Sequence, residues 1–336
     1  MSKKLQNILM GLIMSMILVT PVASQSNGYA GGSLDTYMHD TINGDYLFTL
    51  GDSQYSGELI SGANYNVTFD TALPEGINIS VARLYLYWTW SHNGSEGVNP
   101  EMEVLLDGNP IVPEKEYSDR KGEGSYDYPS GTHAFNVTSY VLDDESVINI
   151  TNSGDGVFSI NGAALLLIYE KAGSPKIEYW INEGADMIKF QEGDSPGNAT
   201  TTATTTATTT ASFSGDIDTS TVRIADLITV VPSGDKGENT LYFNYDSWEG
   251  VYQGLPYSSL AVDTRDVTDS LQPNNNVVKI EDNGDYLIPS NGFLFIEFAV
   301  PPSATENPTD TPGFGVLSLV AAFLAVMGLI MYKKRK

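Results

Sequence analysis

The stretch Val137–Tyr169, VTSYVLDDESVINITNSGDGVFSINGAALLLIY, is matched 130 residues later by Val267–Ala299, VTDSLQPNNNVVKIEDNGDYLIPSNGFLFIEFA. The two stretches align without a gap. They share eight identical positions: Val137/Val267, Thr138/Thr268, Val147/Val277, Ile150/Ile280, Gly154/Gly284, Asp155/Asp285, Asn161/Asn291 and Gly162/Gly292. A repeat this long is typical of tandem domains rather than of a solenoid. Weaker matches in the same order, such as Gly51-Asp52-Ser53 with Gly193-Asp194-Ser195, extend the repetition over most of the chain.

Short apolar runs throughout the chain favour an all-β fold. They are rich in Val, Ile, Tyr and Phe and are bounded by Gly, Asn, Asp or Pro, as strands are. In the most pronounced run, Arg83–Trp90, two-residue alternation predicts one face of Leu84, Leu86, Trp88 and Trp90, and another of Tyr85, Tyr87 and Thr89. We therefore predict two tandem, related β-sandwich domains of jelly-roll type, each with about eight strands.

The domain boundaries follow from the repeat and from changes in composition. The predicted organisation is a signal peptide (1–24), a first β-sandwich domain (25–172), a second β-sandwich domain (173–301) with a threonine-rich loop (199–211), a linker (302–313), and a membrane span with a basic tail (314–336). The loop has the sequence ATTTATTTATTTA, which offers little apolar surface to bury. O-glycosylation of the loop and repeat slippage in a tolerant segment are both open interpretations.

Charge and composition exclude some classes of function. The chain of 336 residues has 17 basic and 42 acidic side chains and no cysteine. Six of the basic residues lie in the two terminal segments, so the 11 others against 42 acids leave −31 on the region between them. Such a charge repels nucleic acid and attracts cations, and the lack of cysteine removes disulfides and thiolate metal sites.

Both ends of the chain carry membrane-directed signals. Lys3 and Lys4, an apolar run and the Pro21–Ser24 site resemble a secretory signal, with a retained N-terminal anchor as the alternative. Near the other end, the 19 uncharged residues from Phe314 to Tyr332 would reach about 28 Å as a helix, enough to span a bilayer. The basic cluster that follows predicts a terminus inside the cell and the body of the protein outside.

The tail is similar to the PGF-CTERM sorting signal of archaeal surface proteins. It contains the tripeptide Pro312, Gly313, Phe314, then the apolar span and the basic cluster. This resemblance implies an archaeosortase that cuts near the tripeptide and a lipid anchor that replaces the span. The exported region also resembles an uncharacterised, largely methanogen family of secreted surface proteins, through Asn43-Gly44-Asp45, Leu73–Gly76 and Ala82–Trp90. That resemblance covers the first half well and the second loosely, and implies location and architecture rather than chemistry.

Six Asn-x-Ser/Thr sequons are candidate glycosylation sites: Asn66, Asn78, Asn93, Asn136, Asn149 and Asn198. Glycans are carried on exposed turns and outward strand faces. Asn149 alternates with two isoleucines and is expected to point outward. Asn93, in a Gly-containing turn, is the preferred candidate.

Two equivalent turns hold the candidate calcium ligands Asn152, Asp155, Asp282 and Asp285. Closely spaced carboxylate and amide oxygens suit Ca2+. Neither copy has the spacing of an EF-hand loop, so a hairpin turn in which Gly adopts positive φ is the favoured interpretation.

No catalytic residues are predicted. The three histidines lie far apart, and no nucleophile elbow occurs. Sequence spacing does not tell whether two carboxylates come within about 5–10 Å, so a surface glycoside hydrolase stays an alternative. Tyr85 and Tyr87 are candidate sugar-stacking residues, although aromatic strand faces usually pack in cores.

These features together predict a non-enzymatic, lipid-anchored glycoprotein on the outer face of an archaeal cell, with a structural or adhesive role in the envelope. Its expected partners are the archaeosortase, the membrane, and envelope proteins or glycans. No cofactor is expected apart from Ca2+. The alternative is a carbohydrate- or calcium-binding module that serves adhesion.

Overall fold

The computed structural model describes residues 34–122, 125–140, 144–189, 207–234, 237–254, 259–284 and 286–299. These residues belong to one compact unit, and their regular secondary structure consists of β-strands and the two 3-10 helices Thr219–Thr221 and Thr268–Ser270. The predicted all-β class and a sandwich-like arrangement of antiparallel sheets are confirmed. The signal peptide, the linker and the membrane span lie outside the described residues.

The first half of the chain, up to Lys171, contributes eleven strands to the described residues. They are β1 (Asp35–Thr49), β2 (Glu58–Leu59), β3 (Asn64–Asp70), β4 (Ile77–Asn93), β5 (Glu96–Gly97), β6 (Met102–Leu106), β7 (Asn109–Ile111), β8 (Lys115–Asp119), β9 (Ser130–Asn136), β10 (Glu145–Asn152) and β11 (Val157–Lys171).

The second half, from Lys176 onward, contributes eight. They are β12 (Lys176–Glu183), β13 (Ala207–Phe213), β14 (Val222–Pro232), β15 (Asn239–Phe243), β16 (Asp246–Glu249), β17 (Leu260–Asp266), β18 (Asn276–Asp282) and β19 (Asn291–Phe298).

One large sheet runs through both halves in the order β17-β14-β19-β12-β1-β11-β4-β9-β8, with β2 and β5 attached to β11 and β4. Its centre is the antiparallel pair of β1 and β12, in which Ile42 lies opposite Ile177. Two four-stranded sheets, β3-β10-β6-β7 and β13-β18-β15-β16, complete the sheets of the described residues.

The strand order of the first half recurs in the second. In the large sheet, β1-β11-β4-β9 corresponds to β12-β19-β14-β17, and in the small sheets β3-β10-β6-β7 corresponds to β13-β18-β15-β16. The large sheet is therefore arranged about its central pair with equivalent strands on either side. The repeated stretches that the sequence shows form β10 and β11 in one half and β18 and β19 in the other.

Each small sheet packs on its own half of the large sheet. In the first half, Val67 and Ile148 of the small sheet share a buried cluster with Leu84 and Leu165 of the large one. In the second half, Phe213 and Phe243 occupy a cluster with Leu294. Alternate residues along each strand face these clusters, as a half-buried strand requires.

A third buried cluster lies on the other face of the large sheet and draws on both halves. The Tyr85 ring lies 5.8 Å from that of Phe293, and the Tyr87 hydroxyl donates to Asn291 Oδ1 at 2.6 Å. Three strands separate β4 from β19 within the sheet, so the sheet curves until its two arms face each other. Both faces of β4 are consequently buried.

The threonine-rich segment differs from its prediction. We expected a loop over 199–211, but Ala207–Ala211 belongs to β13, where Ala207, Thr209 and Ala211 face the core and Thr210 is exposed. Threonine is β-branched and fits a pleated, half-buried surface, so the small alanines and threonines suffice for a strand against β18. Residues 199–206 lie outside the described part of the chain.

Candidate functional site

Tyr85 and Tyr87 are not a sugar-stacking platform, and that prediction is wrong. Both side chains are fully buried. Tyr85 donates its hydroxyl hydrogen to Glu183 Oε1 at 2.7 Å, within the core that joins the two arms of the large sheet. Burial, followed by the nearby Glu183 charge, raises the pKa of both phenols. Their aromatic faces are used in packing and have no access to a ligand.

Trp90 is the exposed aromatic residue of this strand. The pairing of β4 with β11 shifts between Thr89, opposite Ser159, and His92, opposite Val157, so two residues of β4 face one of β11. Trp90 occupies this bulge with a φ of 57°, a region in which a bulge residue is usually glycine. The bulge breaks the two-residue alternation and turns the indole outward, leaving it 44% exposed.

Three further rings gather around Trp90. Tyr126 and Tyr128 have ring centroids 6.3 Å and 6.0 Å from the Trp90 ring, and 5.9 Å from each other. His92 stacks on Tyr128 at 4.4 Å with 18° between the planes. Tyr126 is 68% exposed and also has a positive φ, of 58°. Trp90, His92, Tyr126 and Tyr128 are called the aromatic cluster below.

Hydrogen bonds fix the aromatic cluster from both sides. The indole Nε1 of Trp90 donates to the Tyr286 hydroxyl at 2.8 Å, which connects the cluster to the second half of the chain. His92 Nδ1 donates to the Gly94 carbonyl oxygen at 3.0 Å. Two bulky residues with positive φ represent stored conformational strain, which concentrates at functional sites.

Polar side chains surround the cluster. Tyr126 and Tyr128 line an open depression of about 670 Å3 together with Ser95, Glu96, Gly97, Arg120, Ser125 and Asp127. Arg120 forms an ion pair with Asp127. Burial acts to raise the pKa of Asp127, but the bonds from Arg120 and the Gly122 N–H outweigh it and hold that pKa below its usual value. The depression therefore combines ring faces with fixed hydrogen-bonding groups.

The ring spacings decide how a ligand can lie. Centroids about 6 Å apart at steep angles are in direct contact, which is the usual geometry of paired aromatic side chains. An ammonium group in an aromatic cage needs free ring faces on several sides of it. The cluster leaves no space between its rings, so a ligand lies on their outer faces.

The five sequons within the described residues differ in accessibility. Asn66, Asn78, Asn93 and Asn136 are exposed, and Asn149 is partly exposed on the outer face of β10, as predicted. Asn149 lies opposite Asn66 in the β10–β3 pair and donates from Nδ2 to its Oδ1. The sixth, Asn198, lies outside the described residues.

The candidate calcium residues act mainly in turns. Asn152 and Asp282 are both buried, and each accepts at Oδ1 from the backbone N–H of the glycine two residues on, at 3.0 Å and 3.1 Å. Asp155 is exposed, and Asp285 lies outside the described residues. Among the described residues, no group of three or more His, Asp or Glu side chains is placed to hold a metal ion. Calcium binding stays a prediction.

The sorting tripeptide Pro312, Gly313 and Phe314 lies outside the described residues. In the part of the chain that the structure describes, no helix has the length and hydrophobicity of a membrane-spanning segment.

A buried ion pair is the other conspicuous polar group, and its role is structural. Arg83 and Glu183 are both fully buried, with Nε to Oε1 at 2.9 Å and Nη2 to Oε2 at 2.8 Å. The hydroxyls of Tyr85, described above, and Tyr117, at 3.1 Å, also donate to Glu183, and Arg83 pairs with Glu114 as well. These bonds connect β4 with the end of β12 and leave neither group open to a ligand.

Sequence reasoning missed the aromatic cluster because it assigned Trp90 to the buried face of its strand. One signal in the sequence could have indicated it. Tyr126-Asp127-Tyr128 lies among Gly, Ser and Pro residues rather than in an apolar run, and aromatic rings in such a segment have no core to enter.

The chain belongs to the family described as "Protein of unknown function (DUF3344)", whose model matches residues 28–297. A search of the curated proteins gives no match. The family description thus carries no activity.

Several solved structures resemble the chain weakly. One is an α-L-rhamnosidase of Streptomyces avermitilis in complex with L-rhamnose, with 15% identity, a TM-score of 0.21 and a match over 78% of this chain and 28% of that chain. Another is the major capsid protein P2 of bacteriophage PM2, with 11% identity, a TM-score of 0.21 and a match over 78% of this chain and 98% of that chain. A third is a peptide-N(4)-(N-acetyl-β-D-glucosaminyl)asparagine amidase, with 10% identity, a TM-score of 0.24 and a match over 79% of this chain and 98% of that chain. The chain thus spans less than a third of the rhamnosidase. TM-scores at this level support no functional argument.

Proposed function

We propose that this protein binds neutral carbohydrate through the aromatic cluster and serves adhesion at a cell surface. The observation that carries the proposal is the strained, outward-turned Trp90 beside the exposed Tyr126. Sugar rings present flat C–H faces, which stack on aromatic rings, and rims of hydroxyls, which bond to fixed polar groups. The depression supplies both kinds of contact side by side.

Charge narrows the class of sugar. Glu96 is an exposed carboxylate at the depression, and Arg120 is already paired with Asp127. The region between the terminal segments is strongly acidic, so an anionic saccharide would meet repulsion before it reached the site. Neutral or amino sugars fit this field better than acidic ones.

The location of the protein is part of the proposal. A signal-like N-terminus and a tail that resembles a PGF-CTERM sorting signal support display outside an archaeal cell, with a lipid or the apolar span as the anchor. Exposed sequons such as Asn93 support glycosylation there. An acidic surface keeps the protein soluble at high local density.

The domain organisation that we propose is an internal duplication. The matching strand orders of the two halves support two related β-sandwich domains, with a junction near Gly173 between β11 and β12. The described part of the second half has no equivalent of the cluster around Trp90. After the duplication, the first half would bind carbohydrate, and the second half would stabilise the first through the shared sheet.

A glycan array tests the binding proposal. The purified full-length chain is compared with Tyr126→Ala and with Tyr245→Ala, a matched control because Tyr245 is 88% exposed and lies outside the cluster. We expect signals for neutral glycans from the wild type and the control, and signals about two- to tenfold weaker from Tyr126→Ala, since aromatic contacts contribute about 0.5–1.5 kcal/mol.

Two results would contradict the proposal. One is a wild-type protein that binds nothing across neutral, amino and acidic saccharides, which would leave the structural role in the envelope. The other is an equal loss of binding in both variants, which would place the site elsewhere.

A further inference from the structure

A second concavity borders the β4–β5 hairpin, beside which the aromatic cluster also lies. It has a volume of about 250 Å3 and lies between this hairpin and the turn that joins β10 to β11. Ser91, Asn152 and Phe158, all buried, form its floor, and the exposed residues Glu101 and Asp155 stand at its rim. We call it the hairpin pocket.

The floor of the hairpin pocket contains an unused hydrogen-bonding group. Ser91 is only 1% exposed, and its Oγ has no hydrogen-bond partner among the described residues. Burying a hydroxyl without a partner is unfavourable, so a hydrogen-bonding occupant of the pocket, either a water molecule or a ligand hydroxyl, would stabilise it. Asn152 differs, because it donates to the carbonyl oxygens of Leu59 and Gly156 and accepts from Gly154.

The wall of the pocket is built closely enough to hold Glu101 in place. The backbone N–H of Ser153 donates to the Glu101 carbonyl oxygen at 3.0 Å. A Cβ on Gly154 would lie 2.8 Å from the Cβ of Glu101, so only glycine allows this carboxylate to lie over the turn. The exposed Glu101 and Asp155 thus line the same pocket as the buried Ser91.

The chemistry of the pocket suits a polyhydroxylated ring. Carboxylates accept hydrogen bonds from neighbouring hydroxyls, the exposed amide of Asn99 both donates and accepts, and Val98 with Phe158 supplies apolar contact. Few polar groups placed over an apolar wall are typical of small-ligand sites.

The hairpin pocket and the aromatic cluster share the same hairpin. Ser95 to Gly97 line the depression beside the cluster, and Val98 to Glu101 continue along the chain into the pocket. In β4, Ser91 lies between the cluster residues Trp90 and His92. The segment from Ser95 to Glu101 thus passes directly from the lining of one concavity to the lining of the other.

We propose that the hairpin pocket binds the terminal residue of an oligosaccharide whose preceding residues lie on the aromatic cluster. This inference rests on the proposed carbohydrate binding and defines its ligand as an oligosaccharide rather than a single sugar. The pocket contributes affinity only to glycans long enough to reach both places.

The test compares binding as a function of glycan length. An array of neutral mono- to hexasaccharides is probed with the full-length chain and with Ser91→Val, Glu101→Gln and Glu103→Gln. Glu103 is a matched control, since it is exposed on the adjacent β6 but does not line the pocket. We expect the wild type and Glu103→Gln to bind longer glycans more tightly than monosaccharides.

If the two pocket variants lose this dependence on glycan length, the hairpin pocket is the site that binds the terminal sugar. Ser91→Val and Glu101→Gln should bind the longer glycans about tenfold more weakly and the monosaccharides unchanged. Length dependence that persists in both variants would overturn the inference while leaving the aromatic cluster as the binding site. An array on which the wild type binds nothing would overturn the proposed function and this inference together.

Discussion

Trp90 has an unfavourable backbone conformation in order to place its indole outside the sheet. Its φ of 57° costs an L-residue with a large side chain roughly 1–2 kcal/mol relative to the extended region. Contact with Tyr126 and Tyr128 and the bond to Tyr286 offset that cost. A residue held in this way is a good candidate for function, because packing alone would have favoured glycine at the bulge.

This strain gives a prediction at position 90. Trp90→Gly and Trp90→Ala both remove the indole, but only glycine accepts a positive φ without penalty. We expect the glycine variant to be the more stable of the two by about 1 kcal/mol, measured as the difference in free energy of unfolding in urea. An alanine variant as stable as the glycine variant would show that the backbone at this position relaxes to another conformation.

His133 gives a prediction for the dependence of stability on pH. The side chain is 7% exposed beside Trp88, and its Nδ1 has no partner among the described residues. Burial lowers the pKa of this imidazole, and Glu116 on the neighbouring strand opposes that shift only in part. The folded protein therefore favours neutral His133.

The direction in which stability changes with pH follows from the lowered pKa of His133. Above the unfolded pKa of about 6.5 the histidine is neutral in both states, and below it the unfolded state gains a proton that the folded state resists. Stability should fall as the pH drops from 7 to 5, and less steeply in His133→Phe. Urea unfolding at several pH values measures the difference, and parallel curves for the two proteins would contradict the prediction.

Strand β13 shows how a threonine-rich sequence becomes an element of the fold. Its inward residues up to Ala211 are small, and Ala207 and Ala211 share a buried cluster with Phe213 and with apolar residues of β18. The composition of residues 199–211 indicated a loop because alanine and threonine offer little apolar surface to bury in a core. The pattern that matters is alternation, with buried Ala207, Thr209 and Ala211 and exposed Thr210.

Two aspartate substitutions distinguish the strand from a loop. Ala211 is 1% exposed, so Ala211→Asp buries a carboxylate and should destabilise the protein by several kcal/mol. Thr210→Asp, one residue away on the exposed face, should change stability by no more than about 0.5 kcal/mol. Thermal unfolding of both variants measures this contrast, and two equally mild substitutions would contradict the strand.

Most strands could be predicted from the sequence, whereas their assembly could not. Alternation and flanking turn residues identify runs such as Val147–Thr151 and Ala163–Tyr169, and the repeat predicts their equivalents in the second half. The pairing of β1 with β12 leaves no local signal, because it depends on contacts between residues far apart in the chain. The same limit applies to Trp90, whose orientation is set by a one-residue bulge.

At the scale of the molecule, the two halves are joined in three ways. The large sheet is continuous through β1 and β12, its two arms share a buried cluster, and the Arg83–Glu183 pair connects β4 with β12. Breaking a buried ion pair leaves an uncompensated charge, at a cost of about 3–5 kcal/mol. Neither half can unfold without exposing surface of the other.

We therefore predict one cooperative unfolding transition for the described region. Differential scanning calorimetry should give a single peak, and fluorescence and circular dichroism should report the same midpoint. Two separate transitions would show that the halves are independent domains and that the shared sheet contributes little to stability.

Carbohydrate binding by the aromatic cluster is tested most directly by calorimetric titration. The full-length chain and Trp90→Gly are each titrated with the neutral oligosaccharide that gives the strongest array signal. Glycine keeps the bulge conformation and removes only the indole. We predict saturable binding by the wild type and affinity at least tenfold lower for the variant, with an unchanged circular dichroism spectrum. Equal affinity of the two proteins would contradict a binding site at the aromatic cluster.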